Sequence, residues 1–306
     1  MKRTTPVTWL AALLLGGCNT APPDPVPVPI PAPGTTSSAP ATSAPPQPIV
    51  VPAGVTAGVA VYDRQTKTFT AQVNATTRFR SASLVKLFIA VDYLWDKGPG
   101  YAIPAGDQTR FELMLRGSDD AAASYFYAKI GGEPALVRTF ARLSLQDTKP
   151  PSAVGLKGWG STTLSANDIV RTYRFLLEQA PAGLRDTIMG HLHASTPCGT
   201  DHYYQNFGIP GAFPKPWSAK QGWWGFGDVP ADVCNPPNTT LAVPATPNIK
   251  GPKPALMSGR VLHTTGTVGE NDRVIVAVLT QYPSGTGFHD AFAAITQLTR
   301  TLPVPR

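Results

Sequence analysis

Six consecutive apolar residues, Val274-Ile275-Val276-Ala277-Val278-Leu279, constrain this chain more than any other feature. The run is too short to span a bilayer, and without polar alternation it reads as a central strand covered on both faces. It therefore needs partner strands and two covering layers. Residues 217–225, 258–269 and 272–281 read as strands, the last two joined by a turn at Glu270-Asn271, and residues 288–302 close the chain as an amphipathic helix. At the other end, residues 55–63 and 66–73 read as a hairpin turning at Arg64-Gln65. Between them, apolar residues at helical spacing predict helices over 83–95, 109–116, 119–130, 134–143, 165–179 and 182–192, with Ser165 and Asp107 as capping residues. The expected class is α/β (α+β), an antiparallel sheet built from both chain ends plus a helical subdomain.

Of the 306 residues 33 are proline, about twice the usual share, and many fall ahead of this pattern. Residues 1–17 read as an export signal, with Lys2 and Arg3 before the short apolar core Trp9–Leu15. Leu15-Gly16-Gly17-Cys18 is similar to a bacterial lipobox, which implies cleavage before Cys18 and diacylglycerol on its sulfur, an anchor made of lipid rather than protein. Residues 18–52, exemplified by Pro25-Val26-Pro27-Val28-Pro29, cannot build a core and favour extended polyproline II, so they are expected to form a flexible tether. Residues 53–306 are then the folded domain. The expected location is the extracytoplasmic face of the cell membrane, in an oxidising compartment where Cys198 and Cys234 are left to pair with each other. Low Lys with high Ala and Pro is similar to an actinobacterial composition.

The net charge of +7 arises from few acids rather than from basic blocks, so no nucleic-acid partner is expected. The histidines His191, His193 and His202 lack paired-cysteine ligand spacing, and no metal is expected.

Ser83-Leu84-Val85-Lys86 puts a hydroxyl and an amine one helical turn apart, a nucleophile beside a possible base. By itself the pair is common. Ser118-Asp119-Asp120 follows ahead of a helix, and Lys220-Gln221-Gly222-Trp223 lies in a strand of the closing sheet. In that order, the three motifs resemble the Ser-x-x-Lys, Ser-Asp-Asn and Lys-Thr-Gly signature of the class A β-lactamases and penicillin-binding proteins. The resemblance covers residues 55–302. It implies a β-lactamase/transpeptidase-like fold with Ser83 acylated, Lys86 as general base, Ser118 relaying a proton to the leaving nitrogen and Lys220 anchoring a substrate carboxylate. It also implies an oxyanion hole from the Ser83 and Trp223 amides, substrate contacts at Asp120, Gln221 and Gly222, no cofactor, and a peptidoglycan peptide or β-lactam as ligand of a monomer.

Three departures bear on activity. Asp120 stands where the family has Asn, substituting a carboxylate for an amide donor. Gln221 replaces Thr, although its NH₂ could still donate to a substrate carboxylate. Residues 134–177 contain no Glu to activate water against an acyl-enzyme; Asp147 and Asp168 are the only acids there, and Asp168 reads as a first-turn charge. An efficient class A β-lactamase is therefore not expected. The alternative is a non-catalytic binder of cell-wall peptides or a protein partner. The aromatics Trp223-Trp224 and Tyr203–Phe207 read as core ahead of a stacking platform.

Overall fold

The computed structural model describes residues 49–227, 230, 234–235 and 259–305. The export signal, Cys18 and all of the tether before residue 49 lie outside them. Folded structure reaches back into the last residues of the expected tether, where Val51 and Pro52 are buried.

The sheet has five antiparallel strands in the order β2 (Thr68–Val73), β1 (Thr56–Asp63), β7 (Val274–Tyr282), β6 (Arg260–Val268) and β5 (Trp217–Trp224). The apolar run is the middle of its central strand. Side chains alternate across a strand, so Ile275, Ala277 and Leu279 enter one core while Val274, Val276 and Val278 enter the other. Neither face can carry a polar residue, which is why the run is unbroken. Val59 pairs with Val278 and Gly266 with Val276, so β7 joins the opening hairpin to the closing strands.

One sheet face is covered by α8 (Phe288–Arg300) and the short α7 (Ile209–Ala212), through Phe292, Ile295, Leu298 and Ile209. The other carries α1 (Lys86–Trp95), α2 (Ala105–Arg116), α3 (Asp120–Lys129), α4 (Glu133–Arg142), α5 (Ala166–Arg174) and α6 (Ala182–His193). Helix α1 is the hub of this layer, with Lys86–Leu94 buried throughout. All the expected strands and helices are present with ends shifted by a few residues, and α5 continues into a π-helical turn, Phe175–Gln179.

Two readings change. Asp107 is no cap: α2 starts from Pro104 without a side-chain cap, and the Asp107 carboxylate instead accepts from Tyr125 Oη, Lys129 Nζ (both 2.7 Å) and Tyr93 Oη. Its three donors hold its pKa down at about 2 against the desolvation that opposes them. Asp168 is more than a first-turn charge. It is fully buried and accepts from the backbone amides of Gln146, Asp147 and Thr148, the Thr148 hydroxyl and Arg171, fixing the segment between α4 and α5. A two-stranded ladder of β3 (Phe79–Arg80) and β4 (Thr163–Leu164), too short to show periodicity, ties that segment to the turn before α1.

Candidate active site

Ser83 lies in a 3₁₀ turn, Ala82–Val85, immediately before α1. Ala82 has φ +46°, a left-handed conformation costly for a residue with a Cβ, and it accompanies the sharp exit from β3 into the turn. Lys86 follows as the first residue of α1 and is fully buried, with Nζ donating to Ser83 Oγ at 2.8 Å. The expected nucleophile and base are therefore in contact.

Ser118 occupies the corner between α2 and α3, again at a left-handed φ of +58°. Asp119 caps α3, its carboxylate accepting from Ala122 N at 2.6 Å, and this aims Asp120 back at the α1 start. Lys86 Nζ donates to Asp120 Oδ1 at 2.6 Å, to the Ser118 carbonyl, and at 3.4 Å to Ser118 Oγ. Lys220, on β5, is also buried and donates to Ser118 Oγ at 2.7 Å and to the Gln221 carbonyl at 3.1 Å. The hydrogen-bonded order is thus Ser83, Lys86, Ser118, Lys220, with Asp120 pendant on Lys86.

Burial pulls the pKa of both lysines down, Lys220 furthest, because repulsion from Lys86 adds to its desolvation. For Lys86 the adjacent Asp120 carboxylate works in the opposite direction and favours the ammonium. Two buried amines thus share one close carboxylate, and it lies on Lys86.

Strand β5 passes the Ser83 turn with its register to β6 unbroken through Gly222. The role of this glycine is close approach: a Cβ there would lie 3.1 Å from the Ser81 carbonyl and 3.2 Å from Leu84 Cγ. Trp223 follows, lining a cleft of about 270 Å³ together with Ser83, Asp120, Arg80, Trp224 and the 157–161 loop. Gln221 turns the other way. Its Nε2 donates to the carbonyls of Gln205 (2.8 Å) and Phe207 (2.7 Å), using both hydrogens inside the fold, which corrects the expectation that this amide is left to a substrate carboxylate.

The sequence reading missed the wall contributed by the loop between α4 and α5. Trp159 places its ring 5.1 Å from Lys86 Nζ and donates from Nε1 to Ser124 Oγ at 3.2 Å, standing over the lysine. Arg80 lines the opposite side with its guanidinium 4.0 Å above the Trp224 ring. The glycine-framed stretch Gly155-Leu156-Lys157-Gly158-Trp159-Gly160 was the available signal, since such loops carry functional side chains on rigid scaffolds. Of the aromatics, Tyr203 and Phe207 are core, whereas Trp224 is 43% exposed at the cleft mouth.

Cys198 and Cys234 form a disulfide, with Cα atoms 5.5 Å apart. The bonded segment carries Asp201, which accepts from Trp223 Nε1 at 2.8 Å and whose pKa is pushed up by burial. Across β6, His263 accepts from Thr280 N at 3.1 Å through Nδ1, so Nε2 carries the hydrogen and donates to the Arg80 carbonyl at 2.8 Å. The neutral ring buttresses Arg80, and burial holds its pKa down at about 4.

No family model matches the chain. The protein named "Putative lipoprotein LppW" of Mycobacterium tuberculosis (strain ATCC 25618 / H37Rv) is 32% identical over 254 residues, covering 81% of this chain and 70% of that protein, and its Mycobacterium bovis counterpart gives the same figures. Among solved structures, PBP-A superposes with a TM-score of 0.55 at 17% identity, over 81% of this chain and 89% of that one. An ancestral class A β-lactamase gives 0.56 at 14%, over 81% and 93%. The class A β-lactamase of Mycobacterium abscessus gives 0.54 at 16%, over 81% and 92%.

Proposed function

The chain belongs to the family of the mycobacterial lipoprotein LppW and has the β-lactamase fold, and on that premise we propose that it is an envelope-anchored serine acyl-enzyme acting on amides or esters. The observation that carries this reading is the 2.8 Å contact between Ser83 Oγ and the buried Lys86 amine, continued through Ser118 to Lys220. When Ser83 attacks a carbonyl held against the Ser83 and Trp223 amides, its proton passes to the Lys86 amine once that amine is neutral. Lys86 Nζ, 3.4 Å from Ser118 Oγ, hands that proton on to Ser118 as Ser118 protonates the leaving group, with Lys220 donating to the same oxygen. A peptidoglycan peptide or β-lactam is the substrate class. No Glu among the described residues lines the cleft, Trp159 covers the lysine, and Asp120 is already paired, so water is poorly activated and the acyl-enzyme is long-lived.

We assign Cys18 as the lipid attachment site and residues 18 to about 48 as the tether, which puts the domain on the extracytoplasmic face. No helix among the described residues is long and apolar enough to cross a membrane. The competing reading, a non-catalytic binder, is favoured by one feature, the Lys86–Asp120 ion pair, because it holds the base in its charged form. Intact-mass spectrometry of the protein incubated with β-lactams and activated esters decides between them. A covalent adduct absent from Ser83→Ala supports the enzyme, and a folded protein that takes up no label from any reagent supports the binder.

A further inference from the structure

The cations that a ligand entering this cleft can reach are not those of the three motifs. Lys220 and Ser118 are buried and do not line the cleft, while Arg80 and Lys157 do. Among the described residues neither has a carboxylate partner, and the buried Arg80 Nε has no hydrogen-bond partner. Asp120 is the one acidic side chain in the lining among the described residues, and Lys86 holds it at 2.6 Å. Among the described residues, the wall thus carries two cations with no carboxylate paired to either.

Its arrangement is also fixed. Arg80 sits on β3, its backbone carbonyl held by His263 and its guanidinium stacked on Trp224. Stacking occupies the guanidinium face and Nε is buried, which leaves the terminal Nη1/Nη2 edge for a planar acceptor, a geometry in which arginine grips carboxylates with two hydrogen bonds. Lys157 adds a second charge from the facing loop, and Trp159, Trp223 and Trp224 supply apolar surface for a chain or ring between the charge and the reacting carbonyl.

The position of this wall gives its side of the substrate. Ser118 and Lys220 mark the leaving-group side of Ser83, whereas Trp224 lies four residues further along β5, beyond Trp223. We propose that Arg80 and Lys157 form an acyl-side anion subsite, so that the preferred substrate is an amide or ester whose acyl portion ends in a free carboxylate, as in an acidic peptide. This rests on the Ser83 acylation reading for its chemistry, but the subsite can be measured without it.

The test uses the full-length chain and isosteric pairs. In binding, adipamic acid, with a free carboxylate, is compared with adipamide by calorimetry. In acylation, the mono-p-nitrophenyl ester of adipic acid is compared with its terminal-carboxamide counterpart, reading the rate of adduct formation at Ser83. The carboxylate member of each pair is expected to be favoured by about tenfold, as one charge-assisted bidentate contact provides, and the ratio is expected to fall toward one in Arg80→Gln and to fall in part in Lys157→Gln. Lys157 is exposed on a loop, so its variant remains informative if Arg80→Gln fails to fold. Equal binding of the two amides, or a ratio that neither substitution changes, overturns the subsite. Carboxylate-selective binding with no adduct from either ester keeps the subsite and overturns the acylation reading.

Discussion

At the scale of single residues, the site turns on which of its groups carries a proton. Asp120 favours the charged form of Lys86, and Asp120→Asn removes that support while restoring an amide donor. Acylation of Ser83 by an activated ester should accelerate at least tenfold in the variant, within the range a freed general base provides. An unchanged adduct rate would mean that the ion pair does not restrain the base. Two histidines titrate in opposite senses. His263 is held neutral by burial with its pKa down at about 4, below the roughly 6.5 of the unfolded chain. Its contribution is complete above pH 6.5 and is lost as pH falls toward 4, up to about 3 kcal/mol. Substitution His263→Gln, which keeps an acceptor and a donor, should flatten the acid limb of a stability profile measured by urea unfolding. His193 faces two acceptors, the Trp217 carbonyl and Asp272, so only the imidazolium donates to both, and the Asp272 hydrogen bond raises its pKa. Its contribution is present below pH 6.5 and disappears as pH rises through the elevated value.

At the scale of elements, close contacts place the chemistry. Because Gly222 lies against the Ser83 turn, Gly222→Ala forces β5 and residues 81–84 apart by a few tenths of an ångström. Acylation should slow by roughly tenfold while the melting temperature hardly moves, since catalysis depends more steeply on alignment than stability does. Removal of the Asp168 carboxylate is the opposite case. Asp168→Ala leaves three backbone amides and the Thr148 hydroxyl without their acceptor, and denaturant unfolding should register a loss of about 3 to 5 kcal/mol. The two positions also mark what a sequence can reveal. Ser83, Lys86, Ser118 and Lys220 were legible because each sits in a short motif at or beside the start of a helix or within a strand, where the local sequence marks the position. Arg80, Lys157 and Trp159 were not, because a two-residue ladder and a loop bring them to the cleft, and neither carries a periodicity. Gln221 was half legible: its placement next to Lys220 was clear, but the acceptors it turns toward, Gln205 and Phe207, come from a separate segment.

For the molecule as a whole, the disulfide closes a loop of 36 residues around β5 and the segment carrying Asp201. Replacing both cysteines by serine should lower stability by roughly 3 to 4 kcal/mol, as the entropy of a loop of that length implies, and calorimetric melting checks it. A reduced protein that melts with the oxidised one would mean the loop is already constrained. The sheet order has a consequence for biogenesis. Strand β1 pairs with β7, so Val59 meets its partner only at Val278, about 220 residues later. Contacts that distant in sequence form slowly, and none can form before the partner strand has left the ribosome. Until then the opening hairpin has an unpaired edge, and the Ser83 turn lacks β5, the wall against which it is set. A chain threaded across a membrane N-terminus first would therefore arrive without its sheet, and the cleft around Ser83 would stay unformed until the last strand emerged.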